Sequence, residues 1–420
     1  MEPGKGRVGG GISLRNLKTF DSLKNPVYRL FFLGMVGFMA PMNMEMLTRS
    51  LLIYRISGSA AILGLMALAN AVPMFFLSLY GGVIADRVQK KYVLLAGMAG
   101  SALVSLGIAL SLSLGYLSTE KPDSWWILMV GSILKASIQG LMMPSRQAIV
   151  REIVSQDLVM NAVSLTMVET SGLRLLAPAA SGFLIEAWGF APVYYVMVGL
   201  YLLAMVPIAL LPRTGTIAIS GRNALADIID GLRYIRREAV ILLTLVFIVF
   251  VVILSMPYQM LLPIFTDDIL KVGAKGMGIL MSVAGAGAII SSLALASLPN
   301  RKRGLILIIS CLILGIALTG FSFSSSWSLS LILVVFIGLG QTARMALSNT
   351  LLQYYSTDEY RGRVMSVYMM EFGLSSFGTF GAGLLAESIG VQWAVGGFAM
   401  VLVLLMILTL VFVPRLRRLD

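Results

Sequence analysis

Seven ionisable side chains fall inside apolar stretches of about 20 residues each, the length that crosses the hydrocarbon core of a bilayer. A charge at that depth is costly unless it is paired or hydrated, so each of the seven marks a candidate functional site. Carboxyl groups there could bind and release protons, and cations could pair with them or attract an anion. The seven are Glu45, Arg49, Lys135, Glu169, Arg174, Arg344 and Glu371.

Three of these side chains are expected to form one charged cluster. Glu45 and Arg49 are four residues apart, one turn along a single face of the first apolar stretch. Lys135 lies roughly 10 residues from the outer end of the fourth stretch, close to the depth of Glu45. Asn43, near Glu45 on the first stretch, is grouped with them. Because the chain has no His and its single Cys is Cys311, a proton relay would have to use Glu or Asp.

The other four charges are expected to find partners on neighbouring helices. Glu169 and Arg174 are five residues apart and share a helix face poorly, so each should pair with another helix. Arg344 and Glu371 lie in the same third of the membrane on adjacent stretches and could bridge as part of an inner gate. For all four, and for Glu45, the alternative is a structural salt bridge that only holds helices together.

The composition indicates a membrane protein made of helices. The chain has 420 residues, of which 58% are hydrophobic and 12% charged, about half the charged fraction of a soluble domain. Its net charge of +12 does not indicate nucleic-acid binding, because the cations flank the apolar stretches. The sequence has no phosphate-binding loop of the form Gly-x4-Gly-Lys-Ser/Thr and no nucleophile–base or metal-ligand set, so we expect no enzyme activity, no metal and no cofactor.

We predict an all-α fold of twelve transmembrane helices in two six-helix bundles. A polar tail (1–26) precedes the first bundle (27–212), a linker with an amphipathic helix (213–238) leads to the second (239–413), and a short tail (414–420) follows. Near the span ends, 24 Lys and Arg residues lie on one side and 4 on the other, which places both tails and the linker in the cytoplasm of a cell membrane. The predicted spans are 27–55, 61–86, 92–116, 124–146, 158–186, 191–212, 239–265, 273–298, 303–322, 327–354, 363–387 and 391–413.

The two bundles repeat each other in sequence. Residues near the fifth and eleventh spans match at a constant offset of 201, and residues near the second and eighth spans match at an offset of 214. A duplication of this kind favours two halves related by an axis along the membrane normal, with a ligand site between them near mid-membrane. The matched pairs include Asp157 with Asp358, Gly182 with Gly383, Glu186 with Glu387, Gly189 with Gly390, and Gly64 with Gly278.

The loop between the second and third spans, residues 82–91, reads GVIADRVQKK and resembles the loop signature of the major facilitator superfamily, with Gln89 in place of a glycine. The resemblance implies that Asp86 caps the start of the eleventh helix across the two halves, while Arg87 and Lys90 contact the end of the fourth. The residues expected to act in gating are Gly82, Asp86, Arg87, Lys90, Lys91, Arg344, Glu371, Arg361 and Arg363.

Further stretches resemble the exporter branch of this superfamily that includes macrolide and enterobactin efflux proteins. One runs from Pro144 through Arg146 to Ala148, and another from Gln353 to Val364. The fifth span carries a segment similar to the glycine-rich antiporter motif of these exporters, although ordinary packing of small residues explains it equally well. That segment contains Ala177, Pro178, Ser181 and Gly182.

The resemblance implies a monomeric transporter that exports an amphipathic small molecule, such as a drug or a siderophore, by proton antiport and alternating access. Its partners would be that cargo, protons and membrane lipids. Two alternatives stay open: a lysophospholipid flippase of the same fold, and a membrane sensor that does not transport. The residues expected to couple protons or line the cargo cavity are Glu45, Arg49, Lys135, Asn43, Glu169 and Arg174.

Overall fold

The computed structural model describes residues 18–212, 224–298 and 301–419 of the chain. Within these ranges the regular secondary structure is helical, and a short 3-10 helix, Lys18–Lys24, precedes the first long helix. The helices are α1 (Pro26–Ser57), α2 (Ala60–Arg87), α3 (Lys90–Ser113), α4 (Trp125–Ile153), α5 (Val159–Trp188), α6 (Phe190–Ala209), α7 (Ala224–Arg237), α8 (Ala239–Ser255), α9 (Pro257–Ile264), α10 (Gly273–Ser297), α11 (Arg303–Phe323), α12 (Trp327–Tyr355), α13 (Arg361–Met369), α14 (Glu371–Ile389), α15 (Val391–Phe412) and α16 (Pro414–Arg417).

Local sequence explains where the first two helices begin and end. The Asn25 side chain accepts hydrogen bonds from the Val27 and Tyr28 amides at 2.9 and 3.3 Å, which satisfies free donors at the start of α1. Gly58 ends α1 with a φ of 62°, a left-handed conformation that favours glycine. Ser59 then caps α2, its hydroxyl oxygen accepting from the Ile62 amide at 3.2 Å. A sharp turn therefore joins the first two membrane crossings.

The predicted twelve-span membrane fold is confirmed. Ten helical segments of the described chain are long and apolar enough to cross a membrane. The remaining two crossings are α5 and the pair α13–α14, which carry charges and many small residues. These two are the helices that pack between the halves, α5 on α10 and α14 on α2, so a less apolar surface is tolerated there.

Two predicted spans are broken in the structure. The seventh consists of α8, α9 and a five-residue π-helical turn, Phe265–Ile269, rather than one helix over 239–265. Pro257 and Pro263 explain the break, because proline removes a backbone donor and crowds the preceding turn. The eleventh is divided into α13 and α14 at Met370. The fourth, predicted to end at 146, continues to Ile153.

Two faces of the bundle can be distinguished. We call the side where α1 begins and α15 ends the tail face, and the side where α1 ends the far face. At the tail face, the segment that precedes each half is hydrogen-bonded to the start of the fifth crossing of that half. The Ser22 hydroxyl donates to the Asn161 side chain on α5 at 2.6 Å, and Asp230 of the linker helix α7 accepts from Arg363 on α13 at 2.7 Å.

The contact between the halves occurs twice, and its geometry follows the sequence repeat. A methyl group built on Gly182 of α5 would collide with the Ala274 carbonyl of α10 and lie 3.2 Å from the Gly278 Cα. A methyl group built on Gly383 of α14 would lie 3.2 Å from the Gly64 Cα of α2. Glycine at these positions lets two helix backbones touch, as in other tightly packed membrane helices. Each glycine of one matched pair therefore contacts a glycine of the other matched pair.

A larger side chain at Gly182 should separate α5 from α10. We expect Gly182→Val to destabilise the protein by about 1–3 kcal/mol, the usual cost of overpacking, and to lower its melting temperature in detergent. Gly172→Val is the matched control on the same helix, because nothing lies within 4 Å of a methyl group built there. Equal melting temperatures for the two variants would contradict a close backbone contact at Gly182.

Candidate functional site

A buried cluster of charges lies inside the first half, between α1, α3 and α4. The Lys135 ammonium on α4 donates to the Glu45 carboxylate on α1 and to the Ser105 hydroxyl on α3, the latter at 2.7 Å. Glu45 and Lys135 are each only 5% exposed. The Arg49 guanidinium lies 3.9 Å from the same carboxylate. The structure therefore brings together the three charges that the sequence grouped, with one more cation than acid.

The position of this cluster differs from the expectation that it faces a cavity between the halves. The Lys135 ammonium lies 5.6 Å from the centre of the Tyr201 ring on α6, in addition to its contact with α3. Helices α3 and α6 pack against each other and against α1 and α4 of their own half. Glu45 and Lys135 therefore point into the core of the first half, where pairing offsets much of the cost of burying both charges.

Arg49 is the member of the cluster that remains partly accessible. Its side chain is 15% exposed and donates to Ser132 at 2.9 Å and to Asn70 at 3.3 Å. Its Nε atom has no hydrogen-bond partner among the described residues. Asn43 is half-buried and donates its amide to the Met39 carbonyl at 2.8 Å, one turn back on α1. Of this group, Arg49 has the geometry best suited to contact a ligand.

Glu169 on α5 is a second buried acid with quite different surroundings. It is 6% exposed, and neither of its carboxylate oxygens has a hydrogen-bond partner in the described part of the chain. Arg146 on α4 acts on it electrostatically, while an Arg146 nitrogen itself lies 3.2 Å from the Met39 sulfur. Arg174, five residues further along α5, is exposed and makes no ion pair within the described residues. The two charges on α5 therefore do not pair with each other, as their spacing predicts.

Arg344 and Glu371 form a buried ion pair inside the second half. The Arg344 guanidinium donates to the Glu371 carboxylate at 3.0 Å, and the side chains are 1% and 3% exposed. Glu371 is the first residue of α14, so its negative charge also meets the positive end of that helix. The expected bridge exists, but α12 and α14 belong to the same half. It therefore cannot by itself hold the two halves together as a gate.

The loop expected to gate the transporter is only partly described. Gly82 and the side chain of Asp86 lie outside what the structure describes, so the predicted cap on the eleventh crossing is not tested. Arg87 is exposed. Lys90 is buried and pairs with Glu152 at 2.6 Å, near the end of α4.

Of three other basic residues expected at the gate, two contact their own half and one contacts the linker helix. The Lys91 ammonium donates to the Leu211 carbonyl, just beyond α6, at 2.6 Å. In the second half, Arg361 pairs with Asp358 at 2.7 Å, while Arg363 pairs with the linker helix. These contacts tie the tail-face ends of helices together within each half.

The antiporter-like segment of α5 lies where α5 packs between α1 and α10. Ala177 and Ser181 are buried, and the Ser181 hydroxyl shares a hydrogen bond with the Thr48 hydroxyl of α1 at 2.6 Å. Pro178 and Gly182 face α10, since a methyl group built on Gly278 would lie 2.7 Å from the Pro178 carbonyl oxygen. This segment therefore joins α1 of its own half to the second helix of the other half.

Polar contacts between the halves at the far face were not predicted. Arg55 of α1 pairs with Asp267 at 2.7 Å, and the Tyr54 hydroxyl donates to Asp268. At the start of α2, the Glu387 carboxylate of α14 accepts from the Ala61 amide at 3.1 Å and from the Ser59 hydroxyl. The sequence held one indication, the match of Glu186 with Glu387 across the repeat, but gave it no structural role.

Loss of one partner from the Glu45–Lys135 pair should destabilise the first half unequally. Glu45→Gln leaves the buried Lys135 and the partly accessible Arg49 without their acid and should cost about 3–5 kcal/mol, whereas Lys135→Met should cost less because Arg49 still faces Glu45. Thermal unfolding in detergent measures both. Lys24→Met is the control, because it breaks an exposed pair with Asp21 and should cost under about 1 kcal/mol. Equal losses for Glu45→Gln and Lys24→Met would contradict a buried pair.

Comparisons with known proteins agree with this architecture. The family model described as transmembrane secretion effector matches residues 17–420. The staphyloferrin A transporter of Staphylococcus aureus is 25% identical over 79% of this chain and 83% of its own, and the enterobactin exporter EntS of Shigella flexneri is 23% identical over 97% and 96%. The crystal structure of the nucleoside transporter NupG covers 91% of this chain and 99% of its own with a TM-score of 0.73 at 12% identity, a likeness of fold alone. The chain therefore belongs to the transmembrane secretion effector family of major facilitator superfamily transporters.

Proposed function

We propose that this transporter exports a small amphipathic molecule across the cell membrane in exchange for protons, by alternating access, with its tail face in the cytoplasm. The observation that carries the proposal is the repeated glycine contact between the halves, Gly182 on Gly278 and Gly383 on Gly64. The two contacts are equivalent and lack interlocking side chains, so each half can move as a rigid body about the same axis. The exporter name of one relative supports the direction of transport.

The polar contacts between the halves support a state closed at the far face. Hydrogen bonds and ion pairs that join described residues of the two halves involve Tyr54, Arg55, Ser59, Ala61 and the Leu175 carbonyl, which lie from the middle of the membrane to the far face. Opening toward the far side must break the outermost of these. Cargo held between the halves would then leave on that side.

We propose that Glu169 carries the exchanged proton. This carboxyl is buried, lacks a hydrogen-bond donor among the described residues, and has Arg146 as the cation that acts on it. It can therefore gain or lose a proton without breaking an existing hydrogen bond. Glu45, which the sequence analysis also includes among the residues expected to couple protons, is held by Lys135, so protonation there would break an ion pair. Glu45 is a second candidate for the proton-carrying residue, to be tested in the transport assay described below.

The cargo is proposed to carry anionic groups. Arg49 is partly accessible, and Arg174 is exposed and has no ion-pair partner among the described residues, so both are suited to pair with an anion on a ligand. The names of the staphyloferrin A transporter and the enterobactin exporter support a siderophore-like molecule. Apolar side chains near Arg49, such as the exposed Met46, suit the apolar part of such a cargo.

Transport in liposomes tests this function directly. Purified protein would be reconstituted with a pH-sensitive dye inside, and a carboxylate siderophore, a catecholate siderophore, a macrolide and a lysophospholipid would be supplied in turn. We expect a gradient of a siderophore to drive proton movement, and Glu169→Gln to reduce it to the level of empty liposomes while cargo–cargo exchange persists.

Glu120→Gln serves as the control, because it removes a carboxylate from an exposed far-face loop. It should transport like the unmodified protein. The proposal would be contradicted by a cargo flux that does not change when a protonophore is added, or by full proton movement in Glu169→Gln. Movement of the lysophospholipid alone would instead support the flippase alternative.

A further inference from the structure

We propose that Glu387 is the latch that keeps the far face closed, an inference that rests on the alternating-access function proposed above. Glu387 lies near the end of α14 in the second half, at the far face. Its carboxylate accepts two hydrogen bonds from the start of α2 in the first half, from the Ser59 hydroxyl and from the Ala61 amide at 3.1 Å. The latch joins two helices that must separate when the transporter opens toward the far side.

The start of α2 is a position that favours binding of a carboxylate. Ser59 is the residue that caps α2, and Ala61 belongs to the first turn, where backbone amides lack partners within the helix. These amides form the positive end of the helix dipole, so a carboxylate there gains both hydrogen bonds and electrostatic stabilisation. A glutamine at the same place could still accept a hydrogen bond, but it would lose the charge.

The sequence repeat places a second glutamate, Glu186, at the position equivalent to Glu387, but its contact lacks the hydrogen bonds of the latch. Glu186 matches Glu387, and Gly273 at the start of α10 matches Ser59. A methyl group built on Gly273 would lie 3.6 Å from a Glu186 carboxylate oxygen, so Glu186 does reach the start of α10. Glycine offers no hydroxyl, however, and no hydrogen bond from described residues to Glu186 is formed. At the two positions related by the repeat, the halves are therefore joined by one complete latch and one weaker contact.

Neighbouring charges do not replace Glu387 in this role. Arg55 and Asp267 form their own pair, and Tyr54 donates to Asp268, both between α1 and the turn that follows α9. Those contacts join α1 to the second half, whereas Glu387 alone among the described acids binds the start of α2. Since α2 packs along α14 through Gly64 and Gly383, release at Glu387 frees that interface at its outer end.

Distances between spin labels across the far face test the latch. Thr119→Cys and Ser325→Cys place labels on exposed loops of the two halves, and double electron–electron resonance in nanodiscs reports the separation. We expect Glu387→Gln to raise the ratio of open to closed populations about tenfold, because the two hydrogen bonds to this side chain lose their charge assistance. Ser59→Ala should shift the ratio in the same direction by less. The double variant should resemble Glu387→Gln, because both changes break one contact.

Glu120→Gln is the matched control, a far-face carboxylate in an exposed loop, and should leave the ratio unchanged. An unchanged ratio in Glu387→Gln would overturn the latch, and so would an equal shift in Glu120→Gln. The measurement is independent of cargo. A shift in Glu387→Gln together with no response of the unmodified protein to any cargo would support the latch and count against the proposed transport function.

Discussion

The close backbone contact between the second helix of one half and the fifth crossing of the other is the constraint on which the rest of this structure depends. It requires glycine at Gly64, Gly182, Gly278 and Gly383, because any side chain there would push two helices apart. It also explains why α5 and the α13–α14 crossing are less apolar than the others: they are covered by protein on that side. A surface made of small residues binds by shape, without interlocking side chains, and so permits movement between defined positions.

The cost of charge in a bilayer determines how the ionisable residues are placed. Glu45 with Lys135, and Arg344 with Glu371, are buried as pairs within one half each, where they link helices that move together. Arg49 is partly accessible, Glu169 lacks a hydrogen-bond partner and Arg174 lacks an ion pair among the described residues. These three are the charges proposed to take up a proton or an anionic ligand.

The membrane spans and part of the charged cluster could be predicted from the sequence. Apolar length gives the spans, and one-turn spacing places Glu45 beside Arg49. The direction in which a side chain faces was harder to predict: Glu45 and Lys135 point toward α3 and α6, which only the packing of the whole half decides. The role of Glu387 was missed because its partners are a hydroxyl and a backbone amide of another half, and neither can be recognised in a sequence.

If, as proposed, two rigid halves rock about the glycine contacts, the two faces must open in opposition. Spin labels at Gln156 and Glu359, both exposed at the tail face, would be measured in parallel with the far-face pair under the same cargo and pH conditions. We expect every condition that shortens one distance to lengthen the other. Distances that change together, or independently of each other, would contradict it.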